Sequence, residues 1–417
     1  MNEYIQGEAR IPEAEIKERI ARAQAELKTA GLDGLLLTQD VDLLYFTGSM
    51  QNGYAFLPAD DDPLYYVRRS VKRAEAEAAI AVRPLGAFRQ FGETLTADFP
   101  AVMRDGGKRR IAADLDVLPA SICQKLSEML AAAGGEADSH GNSSLLDGSA
   151  LIRRVRSVKS AWEVGRIEAA AKVAAEAFHN CLEHVREGVS ELEWIARYEY
   201  EIRKRGHIGL MRMRAYNQAV MTGMVASGAA AAEPAAFDGP AGGRGLGPSA
   251  PQSVSRKRFA RGEPILLDVG CCIDGYVIDQ TRTAVIGELA DDLTEAYGVT
   301  ETILDMALGQ MRPGALPSDI YAASLQCAEA AGLTDHFMGY GRDQAKFLGH
   351  GIGLEVDEWP VLARGFNEPL EAGMVIAIEP KFTFPGRGVV GIEDTVLVTA
   401  SEPKRLTSLA RGLIKLP

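Results

Sequence analysis

The sequence predicts an α/β (α+β) protein of two domains, and three observations predict it. The chain has 417 residues, more than one average domain of roughly 100–150 residues. Residues 1–150 alternate helical periodicity with short apolar runs. From residue 265 onward, apolar runs alternate with turn residues at hairpin spacing. A boundary is expected near residue 155, giving domains 1–155 and 156–417.

Each element follows from its own signal. Ile16, Ile20, Ala23 and Leu27 recur at helical spacing, and Gly31 follows as a C-cap. Leu35-Leu36-Leu37 is a short apolar run of the kind found in buried strands. Further strands are expected at 64–67 and 111–113, and a helix at 118–130. This first part holds no dense group of reactive side chains. Residues 151–206 read as two helices, the first with Val164, Ile167, Ala171, Phe178, Leu182 and Val185 on its apolar face. Ser190 with Glu193 forms a capping box that opens the second, and Gly206 closes it. His179 and His184 fall in the first helix and read as structural or surface histidines.

Composition narrows the function classes. Lys+Arg is 45 against Asp+Glu 57, a net charge of -12, which argues against a nucleic-acid partner. No apolar stretch approaches the ~18 residues of a membrane span, and the N-terminus lacks an apolar signal core. A cytoplasmic protein is expected. Five scattered cysteines, none in a C-x-x-C pair, suit a reducing compartment. The adjacent Cys271 and Cys272 read as small buried strand residues. Only six histidines are present, so any metal site must be built mainly from carboxylates.

Segment 228–250 is rich in Ala, Gly and Pro and has no periodicity. It is too long for a simple connection and reads as a flap or lid, or else as a disordered insertion. Its glycines match neither G-x-G-x-x-G nor a P-loop, so no phosphate cradle is indicated.

The chemistry concentrates after Ile265, in ILLDVGCCIDGYVIDQTRTAVIG. Asp274-Gly275 between two apolar strands is a strong hairpin signal. With that turn, Asp268 faces Thr281 and Asp279 faces Gly270. Asp268 and Asp279 then share a face as diagonal neighbours, roughly 7–8 Å apart at the backbone. Such carboxylates repel unless something positive lies between them. A second pair comes from AIEPKFTF and VVGIEDTVLV: a register centred on Gly386 puts Glu379 opposite Glu393. Between the pairs lies His350, flanked by Gly349 and Gly351. Two Asp, one His and two Glu form a hard, oxygen-rich set suited to Mn(II), Co(II), Fe(II) or Zn(II). Two ions about 3.5–4 Å apart would fit it.

The order of Asp268, Asp279, GHGIGLE, IEP and IEDTVLVT resembles the pita-bread metallopeptidases. The match is to the branch holding aminopeptidase P, prolidase and creatinase. RIARAQAELKTAGLDGLLLTQDVDLLYFTG resembles that branch's N-terminal domain, and RRVRSVKSAWEVGRIEAAAKVA its interdomain junction. The resemblance implies a creatinase-like N-terminal α/β domain followed by a pita-bread catalytic domain. It implies an Xaa-Pro aminopeptidase or dipeptidase with two divalent metal ions, and commonly a homodimer. Asp279 and Glu393 would bridge the ions, Asp268 would bind one, and His350 with Glu379 the other. Glu379 would also be the acid/base that activates a bridging hydroxide against an amide carbonyl.

Three positions depart from the branch. No His lies between His207 and Asp268, and the place of an expected His falls near Ala235. A second expected His is Asp357, and an Arg expected two residues before the last Glu is Gly391. Arg212, Arg214 and Arg244 are candidates to supply the missing positive charge to the substrate. Asp357 is expected to favour a substrate with a cationic or hydrogen-bond-donating group. These departures admit a non-peptide small amide or amidine as substrate. A non-catalytic interaction module is a further alternative, although all five metal ligands remain.

Overall fold

Leu35, Leu36 and Leu37 are fully buried, at the centre of the first sheet. The computed structural model describes residues 10–103, 109–132, 145–216 and 222–417. The chain divides into two units, Met1–Arg156 and Ser157–Pro417.

In the first unit, strand Gly34–Leu37 pairs antiparallel with Gly53–Pro58 and parallel with Ile111–Ala113. The sheet extends through Leu64–Val67 and Ala81–Pro84 on one side and Leu145–Asp147 on the other. Helix Glu13–Ala30 buries Ile16, Ile20, Ala23 and Leu27 and stops where Gly31 turns left-handed at φ 62. Only a residue without Cβ takes that turn without strain. Leu36, Phe56, Tyr66, Phe91 and Leu126 form a core that includes helix Ala120–Ala132.

Residues 151–206 hold three helices rather than the two expected: Ser149–Ser157, Ala161–Leu182 and Glu191–Arg203. The break has a local cause. Ser160 accepts the Glu163 N–H, and the Glu163 carboxylate returns to the Ser160 N–H. This capping box starts a new helix, as Ser190 and Glu193 do for the next one. His184 therefore lies beyond the helix, and His179 within it bonds the Ala175 carbonyl.

The second unit is built on two larger sheets and a short ribbon. One sheet runs in the order Ile414–Leu416, Tyr276–Ile286, Ile265–Ile273, Gly223–Ser227. The other runs Glu358–Ala363, Phe347–Gly351, Val375–Ile378, Asp394–Leu397, Lys404–Arg405. Strands Lys381–Phe384 and Gly388–Gly391 form the ribbon. Helix Ala161–Leu182 packs on the long hairpin of the first sheet. Its Glu163 accepts from the Tyr276 hydroxyl at 3.0 Å. Helices Asp291–Gln310 and Pro317–Ala330 bury Ile303, Leu304 and Ile320 in a core with Leu348, Ile376 and Phe382.

Segment 228–250 is folded against this unit. It begins as the short helix Gly228–Ala231 and buries Ala230, Ala231 and Ala241. Its backbone is tied by Gly243 to Glu233 and by Ser253 to Gly242, and the Thr383 hydroxyl donates to the Pro240 carbonyl. Cys271 and Cys272 are buried strand residues, and burial pushes both thiols up to about 12. No helix of the described residues is long and apolar enough to cross a membrane.

Candidate metal centre

The first hairpin closes at Asp274-Gly275, with φ 51 and 91. Positive φ at both central residues is the turn whose twist matches paired strands. The register follows from it: Asp268 faces Thr281 and Gly270 faces Asp279. In the ribbon, Lys381 faces Gly391 and Phe384 faces Gly388. Beyond it Ile378 faces Asp394, so Glu379 and Glu393 sit opposite one another in a continuous register. His350 enters from the neighbouring strand, paired with Ala377.

These elements bring all five expected residues together. Asp279, His350 and Glu393 offer ligand atoms within 4.8 Å of one another, and so do Asp268, Glu379 and Glu393. Glu393 belongs to both triads. The two triads differ in what they already hold. A lysine absent from the sequence reading, Lys381, is completely buried in the second. Its Nζ lies 2.5 Å from Glu379 Oε2, 3.1 Å from Asp268 Oδ2 and 3.4 Å from Glu393 Oε2. Of the first triad, Lys381 pairs with the shared Glu393 alone among the described residues. The other oxygen of Glu393, Oε1, is buried and finds no hydrogen-bond partner among the described residues. His350 Nδ1 contacts the Gly351 carbonyl at 3.1 Å and Asp357 Oδ1 at 3.3 Å, while Nε2 faces Glu379 Oε1 at 3.7 Å.

The electrostatics follow from burial of like charges. Burial pushes the Asp268 carboxyl up to about 6, against the pull of Lys381. Burial, then Glu393 and Asp268, hold Asp279 well above the usual carboxylate range. Glu379 and Glu393 are raised mainly by burial, and Lys381 opposes the rise in both. For Lys381, burial favours the neutral amine, but Asp268, Glu379 and Glu393 outweigh it and hold the ammonium. The cluster thus demands more positive charge than one lysine supplies.

A cavity opens onto the cluster, walled by Met211, Met224, Phe237, Phe347 and Val356. Residues 237–242 of the Ala/Gly/Pro-rich segment form part of its rim. Asp357 lines it too, in a left-handed conformation at φ 62. Arg212, Arg214 and Arg244 are not among its lining residues. Arg212 gives its carbonyl to the Val356 N–H, and the exposed Arg244 pairs with Glu233. Ala235 lines a neighbouring hollow with Tyr340. The cation that does lie at the cluster is Lys381, buried among the carboxylates and beside Gly391. The register that puts Glu379 opposite Glu393 also pairs Lys381 with Gly391, which places the lysine on the ribbon but does not show the carboxylates around its head.

Fold and site together define a metal-dependent hydrolase: buried carboxylates and one imidazole converge under an apolar cavity. Comparison with known proteins makes this specific. Residues 165–400 match metallopeptidase family M24, and residues 19–158 match the creatinase/prolidase N-terminal domain. The chain belongs to metallopeptidase family M24. It is 27% identical to an Xaa-Pro dipeptidase of Pyrococcus furiosus, over 96% of this chain and 100% of that one. Among solved structures, dipeptidase PepE from Mycobacterium ulcerans superposes with a TM-score of 0.80 at 26% identity, covering 98% of this chain and all of the other. The prolidase from Pyrococcus horikoshii OT3 gives 0.76 at 25% identity, covering 95% of this chain and all of the other.

Proposed function

We propose that this protein hydrolyses Xaa-Pro dipeptides, with a divalent ion held by Asp279, His350 and Glu393. The observation that carries the reading is the buried Glu393 Oε1, which has no hydrogen-bond partner among the described residues, on a residue that belongs to this triad. A buried carboxylate oxygen without a donor is costly unless a cation completes it. The hard oxygen and imidazole set fits Mn(II), Co(II), Fe(II) or Zn(II). When bound, such an ion acidifies water and polarises a carbonyl. The apolar cavity walls receive the substrate side chain and exclude bulk water. Glu379, raised by burial and 3.7 Å from His350 Nε2, is the group placed to take a proton and pass it to the leaving nitrogen. Asp268, Asp279, His350, Glu379 and Glu393 are the site in this reading, and all lie after the boundary near residue 155. A cytoplasmic homodimer is part of the same reading. The free thiols support the compartment, and the resemblance supports the dimer.

Asp357 favours a second reading, in which the same site acts on a cationic small amide or amidine. Its carboxylate lies on the cavity wall, where a cation would pair with it. The test is a screen of Mn- and Co-loaded protein against Xaa-Pro dipeptides, longer Xaa-Pro peptides and small cyclic amides and amidines. Turnover of Xaa-Pro dipeptides is expected. No turnover of any Xaa-Pro substrate overturns the peptidase reading, and a protein that binds no divalent ion favours an interaction module.

A further inference from the structure

We infer that the Lys381 ammonium stands permanently in the second metal position, so that this protein takes one divalent ion where the five-residue set would otherwise take two. The inference rests on the metal-site reading above and concerns only how many ions that site admits.

The geometry makes the two cations mutually exclusive. Zinc-class ions bind carboxylate oxygens at about 2.0–2.2 Å. The oxygens of the Asp268, Glu379 and Glu393 triad are already gathered around Nζ, at 3.1, 2.5 and 3.4 Å. An ion bound to those atoms would fall almost on the nitrogen, and two positive charges at that separation repel strongly in a buried site. The Lys381 side chain is fully buried. Withdrawing its head from the three carboxylates would leave an unpaired ammonium out of water, which is strongly unfavourable.

The neighbouring strand is shaped for this arrangement. Gly391 faces Lys381 across the ribbon. A Cβ at position 391 would collide with Cβ and Cγ of the lysine. The glycine is therefore what lets the stem lie flat against the strand and deliver Nζ to the three carboxylates. The Asp279, His350 and Glu393 triad remains open to an ion. One divalent ion and one ammonium then neutralise three of the four carboxylate charges.

The experiment counts ions on the full-length protein. After metal stripping and reloading with excess Mn(II), bound manganese is measured by elemental analysis and its state by electron paramagnetic resonance. One ion per chain with the six-line spectrum of an isolated Mn(II) is expected. In Lys381→Gly and Lys381→Ala, two ions per chain and an exchange-coupled spectrum are expected. Two coupled ions in the unaltered protein overturn the inference while leaving the metal-site reading intact. One ion in folded Lys381→Gly and Lys381→Ala also overturns it. No ion in any of the three proteins overturns the site reading, and this inference with it. The count in the unaltered protein decides the matter even if neither variant folds.

Discussion

The Thr281 hydroxyl donates to Glu393 Oε2 at 2.7 Å, and the two residues also exchange backbone N–H bonds. Glu393 is thus clamped by side chain and backbone to the strand that carries Asp279. The clamp fixes which carboxylate oxygen is engaged and leaves Oε1 without a hydrogen-bond partner among the described residues.

Removing the clamp should weaken metal binding without unfolding the protein. Groups that orient a ligand are typically worth ~10–100-fold in metal affinity. Thr281→Val is expected to lose affinity for Mn(II) within that range, measured by competition with a chelator. Thr281→Ser should recover most of it, because it restores the hydroxyl. Equal affinities for the Val and Ser variants would show that the hydroxyl does not orient Glu393.

Arg282 makes the opposite kind of contribution, to stability. It is fully buried and donates to the carbonyls of Thr281, Glu393, Leu409 and Ala410 and to Asp394 Oδ1. One guanidinium therefore ties the backbone at Thr281 and Glu393 to the C-terminal segment. Arg282→Ala leaves Asp394 to Arg411 and Arg405 and strips a donor from four carbonyls, and a buried acceptor left unsatisfied costs about 1–3 kcal/mol. Urea denaturation should show this loss. Arg282→Lys should recover little of it, because an ammonium lacks the planar fork that reaches five acceptors.

Much of this arrangement was legible in the sequence, because hairpin registers are arithmetic. Asp274-Gly275 sets the face shared by Asp268 and Asp279, and Gly386 sets the opposition of Glu379 and Glu393. The five candidate ligands follow from those two turns and the glycine-flanked His350. Two features escaped for physical reasons. The helix break at Val158 depends on Ser160 and Glu163 meeting in a capping box, a local hydrogen-bond pattern inside an otherwise continuous helical periodicity. Lys381 escaped because nothing in a lone lysine within an apolar strand marks it as buried. Only three-dimensional packing shows the carboxylates closing around its head. The arginine candidates were chosen by charge alone, and charge does not reveal that Arg244 pairs with Glu233.

Asp357 should set substrate charge preference. It lines the cavity 3.3 Å from His350 Nδ1, with its side chain still 39% exposed. That leaves carboxylate surface for a cationic group on the substrate. Asp357→Asn keeps the size and tolerates the left-handed backbone, since Asn adopts positive φ readily. The expected result is a tenfold or smaller loss in kcat/KM for a cationic substrate, worth about 1 kcal/mol for a partly exposed pair, with neutral substrates little changed. Unaltered selectivity between the two substrate classes would remove Asp357 from the recognition site.

The first unit carries its own pH dependence, through Asp114. Its carboxylate is buried and accepts from the Thr38 N–H, the Thr38 hydroxyl and the Gln39 N–H at 2.8–2.9 Å. Burial, reinforced by Asp42, outweighs those donors and pushes the group up to about 6. The native state therefore holds a proton between about pH 4 and 6 that the unfolded chain releases. Stability must fall as pH rises through that window and level off above it, by about 3 kcal/mol at most. Hydrogen exchange at strands Gly34–Leu37 and Ile111–Ala113, corrected for intrinsic rates, reads the change directly. Protection should drop between pH 4 and 6.5 in the unaltered protein. In Asp114→Asn it should stay flat, because the amide accepts the same backbone N–H groups and has no charge to bury. A flat profile in both proteins would mean that the three donors stabilise the carboxylate enough to cancel its burial.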